Sequence, residues 1–304
     1  MSRALVTGGA GFIGSHLTDR LIRDGHEVIV LDNFATGNKD NVNSAAKFFE
    51  CDASDYERIA PHFSGVEVVF HMAALARIQP SIKDPLLSNT SNITGTLNVL
   101  WAAKNAGVKK VIYSASSSVY GNQPEENYPL KEDVATHPGS PYSLQKLVGE
   151  KYCQLFSELY GLPTVILRYF NVYGPRQICE GAYSTVIGIF LRQREQGKPM
   201  TVVADGMGKR RDYTHVRDVV EANILAWQKN VPPGEIFNIG AGRHYSVNEV
   251  AGLVGGPIEI IPQRPGEYKL TWADNSKAKK YLGWQPTISL EEAMPELKKL
   301  HGLL

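Results

Sequence analysis

The chain has 304 residues, 43% hydrophobic and 21% charged, a globular composition with length for about two domains that excludes a disordered or fibrous chain. Lys and Arg number 32 against 31 Asp and Glu, a net charge of +1, so no nucleic-acid or membrane partner is expected and any anion site must be local. Cys51, Cys153 and Cys179 are scattered with no CxxC or Cys/His cluster, so neither a disulfide framework nor a metal site is expected, and a cytoplasmic location fits.

Ala4-Leu5-Val6 is a short apolar strand following directly on Met1-Ser2-Arg3, which leaves no room for a signal peptide. It ends in a glycine cluster, and a helix pattern then runs from about Ile13 to Asp24 and stops at Gly25. Glu27 to Leu31 predicts the next strand, closed by Asp32-Asn33, and a third strand precedes Asp52. Val66 to His71 predicts a fourth strand, Leu86 to Ala106 one long helix ended by Gly107, and Val111 to Ser114 a fifth strand. A helix over Tyr142 to Tyr160 ends at Gly161, and Thr164 to Leu167 is again a strand. No apolar run nears the ~18 residues of a membrane span. Short apolar strands alternating with helices predict an α/β fold, a doubly wound parallel sheet of the Rossmann type.

After Asn171 glycine and proline become frequent and helices shorten, so a second, smaller α/β domain for substrate is expected. Its expected extent is 172–211 and 239–304, with the sheet domain over 1–171 and about 212–238 returning to it.

Thr7-Gly8-Gly9-Ala10-Gly11-Phe12-Ile13-Gly14 joins the first strand to the first helix. Gly8, Gly11 and Gly14 permit a tight turn and close approach to a pyrophosphate, and the amides of Phe12 and Ile13 open the helix toward it. Asp32 closes the second strand, where a carboxylate binds both adenosine ribose hydroxyls and repels a 2′-phosphate; NAD is favoured over NADP. Asn33, Asp52 and Ala53 follow strands at the same sheet edge, with Asp52 in reach of adenine. Ala73 and Ala74 are small enough for the cofactor to lie close.

Tyr142 and Lys146 stand four apart on a predicted helix and share one face. Oxidising a secondary alcohol needs a base for the hydroxyl proton. A tyrosine, titrating near ~10, is a poor one, and bringing it to neutrality costs about 4 kcal/mol. A nearby ammonium and the positive nicotinamide ring favour the phenolate. Ser114 and Ser116-Ser117-Ser118 follow the fifth strand, where a hydroxyl can bridge Tyr142 and a substrate oxygen.

Taken together these motifs resemble the extended short-chain dehydrogenase/reductase family, and within it the UDP-hexose 4-epimerases. The likeness continues through His71-Met72-Ala73-Ala74, Asn89 to Asn98 and Arg168 to Gly174, then Arg211-Asp212-Tyr213, Asn238-Ile239-Gly240, Arg264-Pro265-Gly266-Glu267 and Trp272-Ala273-Asp274. Sister dehydratases and decarboxylases carry an acid just after the serine that corresponds to Ser116; here both following residues are serine. The resemblance therefore implies oxidation and re-reduction at C4 with tightly bound NAD, Tyr142, Lys146 and Ser116 being catalytic. It implies Phe170 at the nicotinamide end and Asn171 on the nucleotide-sugar phosphate. Arg211 and Arg264 would neutralise the pyrophosphate, with Glu267 in the same binding set. A lysine common in galactose-type epimerases is replaced near there by Ala76, so the resemblance implies that this pyrophosphate contact is either missing or moved to Arg77.

Within the family the residue before Trp272-Ala273-Asp274 faces the sugar C2 substituent. Here it is Thr271, small enough to admit an N-acetyl group, which implies UDP-GlcNAc/UDP-GalNAc as substrates together with UDP-Glc/UDP-Gal. A homodimer is also implied, through Leu97, Leu100, Trp101, Leu155, Phe156 and Leu159. A net UDP-sugar dehydrogenase or reductase that releases its cofactor stays open. So does a non-catalytic NAD sensor, although the intact Tyr142/Lys146 pair speaks against it.

Overall fold

Valine, isoleucine and leucine fill most of the short runs that become strands, and capping serines or terminal glycines mark several helix ends, among them Ser140, Gly161, Ser246, Gly255, Gly283 and Ser289. The computed structural model describes residues 1–204, 208–262 and 268–304. The chain alternates β1 (Arg3–Thr7), α1 (Phe12–Arg23), β2 (Glu27–Asp32), β3 (Lys47–Glu50), α2 (Tyr56–Ile59) and β4 (Val68–His71). It continues with α3 (Ile78–Lys83), α4 (Pro85–Asn89), α5 (Gly95–Asn105), β5 (Lys110–Ser116), α6 (Pro141–Tyr160) and β6 (Thr164–Tyr169).

The second half holds β7 (Val172–Tyr173), α7 (Val186–Glu195), β8 (Met200–Val203), β9 (Arg210–Asp212), β10 (Thr214–His215) and α8 (Val216–Gln228). It ends with β11 (Glu235–Ile239), β12 (His244–Ser246), α9 (Val247–Val254), β13 (Ile258–Ile261), α10 (Ser276–Leu282) and α11 (Leu290–Leu300).

Among the described residues the main sheet has seven parallel strands in the order β11-β6-β5-β4-β1-β2-β3. The order reverses between β1 and β4, and the crevice beyond the strand ends at such a switch point is where ligands bind. Alternation along each strand sends side chains to two cores. Ala4, Val6, Val28 and Val30 pack with Leu17 and Leu21 of α1 and with Val219 and Ala222 of α8 on one face. Leu5, Ile29, Val69 and Val111 pack with Val99 and Ala103 of α5 and Cys153 and Phe156 of α6 on the other. A third core, with Ile187, Phe190, Met200, Val250 and Leu297, lies under α7, α9 and α11.

The segment read as one helix over Leu86 to Ala106 differs in one respect. Between α4 and α5 the backbone widens into a π turn, Thr90–Thr94. The widening turns Asn92 inward, where its amide bonds the Leu75 N–H (2.8 Å), the Leu75 carbonyl (3.2 Å) and Gln145 Oε1 (2.8 Å). Loop, helix and α6 are thereby joined at one buried amide, a feature periodicity cannot reveal.

On α6 Glu150 is fully buried and takes a bidentate grip from Arg168 of β6, Nε to Oε1 at 2.9 Å and Nη2 to Oε2 at 2.8 Å. Removing one partner strands a buried charge. Arg168→Met is expected to lower unfolding free energy by about 3–5 kcal/mol, whereas the double variant Arg168→Met/Glu150→Leu recovers most of it; urea denaturation of the three proteins checks this.

Candidate active site

A cleft of about 530 Å³ opens at the switch point and runs from the glycine turn to the third core. Its first wall is the turn from β1 to α1. Gly8 has φ +69°, and a Cβ there would lie 2.7 Å from the Ala73 nitrogen; a Cβ on Gly14 would lie 2.1 Å from the Gly8 carbonyl oxygen. Only hydrogen fits at either position. The N-cap of α1 is Gly11, which has no side chain to cap the first amides, and this end of the helix meets the cleft. Uncapped N–H groups and the helix dipole suit a pyrophosphate.

Asp32 is 7% exposed at the end of β2 and takes the Ala10 N–H on Oδ2 (2.9 Å) and the Phe34 N–H on Oδ1 (2.8 Å). Burial raises its carboxyl and these two amides oppose the rise. Each oxygen keeps a lone pair for a ribose hydroxyl, and a 2′-phosphate would meet a carboxylate. Asp52 grips Ser54 and Asn33, whose amide reaches it at 2.6 Å, so the two acid-bearing loops are tied together. Asn33, Asp52, Ala53, Ala73, Ala74 and Phe170 all line the same cleft with Phe12 and Ile13. This donor and acceptor set fits NAD.

α6 begins where Ser140 caps it, its Oγ accepting from the Ser143 N–H (3.2 Å), with Pro141 in the first turn. That start puts Tyr142 in the first turn, its N–H donating to Ser81 Oγ of α3 (3.1 Å). Lys146 follows one turn on, 3% exposed. Its Nζ donates to the Ser114 carbonyl (2.7 Å) and lies 5.0 Å from the Tyr113 ring centre. Burial lowers it from an ordinary 10.5 to about 8, with Cys153 and Glu150 opposing. Burial also raises the Tyr142 phenol, while the Ser116 hydroxyl and the Arg77 guanidinium pull it back down. The Lys146 ammonium donates to the β5 backbone, and the Arg77 guanidinium is a second cation that favours the Tyr142 phenolate. Arg77 Nε donates to the Tyr183 carbonyl (2.8 Å), which ties the segment between β7 and α7 to the start of α3.

Ser116 accepts from the Ser118 N–H (3.2 Å), and Ser117 and Ser118 are nearly buried beside it. Ser118 Oγ has no partner among the described residues. Asn171, Arg211 and Thr271 line the cleft wall across from β5. The Asn171 amide nitrogen donates to the Asp212 carbonyl (3.0 Å) and to Thr271 Oγ1 (2.9 Å). Both its N–H donors face protein, so the Asn171 side chain is not poised to donate to a phosphate as the resemblance implied. Arg211 Nη1 bonds the carbonyls of Arg210 (3.0 Å) and Lys269 (3.2 Å). Arg264 and Glu267 lie outside the described residues.

Several cleft residues carry no sequence signal: Tyr183, Thr185 and Lys209 stand in irregular segments without a motif. Tyr268 is another; its hydroxyl meets Ser143 Oγ at 2.8 Å and reaches α6 from the C-terminal region.

The chain is similar to known proteins along nearly its whole length. A family model described as the NAD dependent epimerase/dehydratase family matches residues 4–240. A putative UDP-glucose 4-epimerase of Methanocaldococcus jannaschii is 41% identical over 303 residues, covering 95% of each chain. The solved UDP-glucose 4-epimerase of Thermotoga maritima with UDP-glucose superposes with a TM-score of 0.93 at 40% identity, covering 99% of this chain and 98% of that one. UDP-N-acetylglucosamine 4-epimerase from Methanobrevibacter ruminantium M1, in complex with UDP-N-acetylmuramic acid, superposes at 0.91 with 34% identity, covering 99% and 97%. The chain belongs to the NAD dependent epimerase/dehydratase family, and NAD is its cofactor.

Proposed function

We propose that the protein interconverts the C4 epimers of UDP-hexoses. The observation that carries this reading is the Tyr142 phenol in the cleft with Ser116 beside it and serines, not acids, at 117 and 118. An acid there would permit elimination or loss of carboxylate; two hydroxyls permit positioning alone. UDP-glucose 4-epimerases among the relatives support the reading.

When bound, NAD supplies reversible hydride acceptance at the carbon whose hydroxyl is deprotonated. Gly8, Gly11, Phe12, Ile13 and Gly14 hold its pyrophosphate, Asp32 and Asn33 its adenosine ribose, and Asp52 and Ala53 its adenine end. Ala73, Ala74, Ser114, Lys146 and Phe170 line its nicotinamide end. Tyr142 accepts the O4 proton of the sugar and later returns it to O4 of the other epimer. Ser116 bridges the phenol and O4, and Arg77 stabilises the phenolate against burial. Lys146 holds the β5 end in place through the Ser114 carbonyl. The sheet domain binds NAD, and residues 172–211 and 239–304 hold the UDP-sugar, with Arg211, Arg264 and Glu267 at the nucleotide end. Thr271 leaves room beside the sugar, so UDP-GlcNAc and UDP-GalNAc enter as well as UDP-Glc and UDP-Gal; a UDP-N-acetylglucosamine 4-epimerase among the structural neighbours supports this.

Anomeric-proton NMR on the purified protein with each of four UDP-sugars is expected to show both pairs interconverting. Tyr142→Phe should lower the rate by at least about 100-fold, the scale of a general base, with NAD still bound. No interconversion of any pair with NAD supplied would overturn the reading, and turnover of UDP-Glc/UDP-Gal alone would overturn the assignment to Thr271.

Lys146 also links activity to stability. Its folded pKa, about 8, lies below its ordinary 10.5, so the unfolded chain holds the proton more tightly. The cost of burying the charge is fully present below pH 8 and is relieved as pH rises from 8 to 10.5. Lys146→Met is therefore expected to lose activity yet gain about 3 kcal/mol against urea at pH 7, the gain shrinking by pH 10. Equal gains at both pH values would contradict the buried ammonium.

A homodimer forms through α4, α5 and α6. Leu100 and Phe156, expected at that surface, are core residues at 1% and 4% exposure. Trp101, Leu155 and Leu159 are exposed, and Leu86, Leu87 and Leu144 extend the apolar face. A face this apolar is rare on a monomer. Light scattering should give a dimer mass, and Leu87→Glu/Leu159→Glu a monomer; a monomeric wild type would refute it. No helix among the described residues is long and apolar enough to cross a membrane, and the free thiols of Cys51, Cys153 and Cys179 suit a cytoplasmic setting.

A further inference from the structure

Charge is unevenly spread along the cleft. Of the described residues that line it, the acids are Asp32 and Asp52, both at the adenosine end. The cations are Arg77, Lys146, Lys209 and Arg211. Lys146 is held at the nicotinamide end by the Ser114 carbonyl (2.7 Å), and Arg211, with Lys209 two residues before it, belongs to the nucleotide end. Arg77 is a fourth cation, and no described acid at the sugar end of the cleft answers it.

Its place is fixed through α3. Arg77 is the N-cap of that helix, and the Ser81 N–H reaches back to its carbonyl (3.4 Å). Ser81 Oγ in turn accepts the Tyr142 N–H (3.1 Å). Arg77 therefore stands one turn of α3 from the backbone of the proposed base, in the part of the cleft that takes the sugar. The residue is half-buried, and its Nε is spent on the Tyr183 carbonyl (2.8 Å). The two Nη atoms make no hydrogen bond or ion pair with a described residue. The through-space pull of Arg77 on the Tyr142 phenol uses its charge and leaves these donors unspent. A guanidinium in this state presents a planar fork, matched in charge and shape to a carboxylate. A buried cation without an acid is unfavourable, so the fork suits an anion that arrives with a ligand.

We infer that the Arg77 fork binds a carboxylate carried by the sugar, so that the cleft accepts UDP-sugars with an acid next to C4. The inference rests on the C4-epimerase reading and extends its substrates from neutral to acidic sugars. Two linkages bring a carboxylate there and leave O4 free for Tyr142. One is C6 of a hexuronate, borne on C5; the other is a lactyl ether on O3. A hydroxymethyl group or a free hydroxyl offers the fork no charge. In a hexuronate the cation has a second consequence. Oxidation at C4 gives a β-keto acid, which loses CO2 when the C5–C6 bond breaks and its electron pair forms the C4 enolate. A guanidinium stabilises the charged carboxylate over neutral CO2, and the serines at 117 and 118 add no negative charge to expel it. C6 is then retained while hydride returns to C4.

The test is a cycle between side chain and substrate. UDP-glucuronate and UDP-N-acetylmuramate are given to wild type, Arg77→Gln and Arg77→Lys beside UDP-glucose and UDP-N-acetylglucosamine, and C4 epimers are followed by anomeric-proton NMR. Wild type should epimerise at least one of the two acids. Arg77→Gln should slow every substrate, since the phenolate loses a cation. It should also lower the acid-to-neutral ratio of kcat/KM about 10- to 100-fold, the effect of losing hydrogen bonds to a charged group. Arg77→Lys keeps the charge without the fork, and its ratio should fall between the other two. If Arg77→Gln does not fold, the lowered ratio in Arg77→Lys is the measurement. A pyrophosphate contact, common to every substrate, would leave the ratio unchanged. An unchanged ratio, or wild-type turnover of the neutral sugars with neither acid epimerised, overturns this inference alone. Turnover of an acid without either neutral sugar supports it and overturns the neutral-sugar assignment. No turnover of any substrate by the wild type overturns the functional reading and this inference with it.

Discussion

Two backbones touch at the first turn of the chain, and the space between them admits no side chain. A Cβ on Gly14 would stand 2.1 Å from the Gly8 carbonyl, and one on Gly8 would stand 2.7 Å from the Ala73 nitrogen. Because hydrogen alone fits, α1 starts immediately beyond β1 and its amides open on the crevice where strand order reverses. β4 is drawn close by the same contact, since Ala73 follows it. The rest of the cleft is arranged around that edge: Asp32 from β2, Ser116 from β5, Tyr142 from α6 and Asn171 from the turn after β6.

Within the cleft the ionisable groups work against burial, and each has a local means of doing so. Asp32 has two backbone N–H groups, Lys146 a carbonyl and an aromatic face, and Tyr142 the Ser116 hydroxyl with the Arg77 charge. Burial moves Asp32 and Lys146 toward neutrality and the Tyr142 phenol away from it, and the Ser116 hydroxyl and Arg77 charge oppose that last shift. The neutral polar groups are handled differently. Asn171 and Thr271 satisfy most of their capacity inside the protein.

The sheet strands, α1 and α6 were legible because their signals are local: apolar runs of strand length, helical spacing and glycine stops. The glycine turn, Asp32 and the Tyr142/Lys146 spacing were legible for the same reason, since their chemistry depends on neighbours within one turn or one strand end. The π turn at Thr90–Thr94 was not, because it exists for a contact with Leu75 and Gln145. Leu100 and Phe156 read as surface candidates and proved to be core, since a helix with apolar residues on two faces does not declare which one the sheet covers. Tyr183 and Tyr268 reach the cleft from segments without pattern, and only the path of the chain brings them there.

The sequence by itself determined a doubly wound sheet, a dinucleotide cradle preferring an unphosphorylated ribose, and a tyrosine and lysine on one helical face. Those follow from steric and periodic rules that act over a few residues. Tertiary structure alone decided which charge each group feels. It turned Lys146 to the Ser114 carbonyl, brought Arg77 to Tyr142, and set Asn171 against Thr271, 100 residues apart in the chain. Hydrogen-bond direction depends on which partners have capacity left, and that is settled only when distant segments meet.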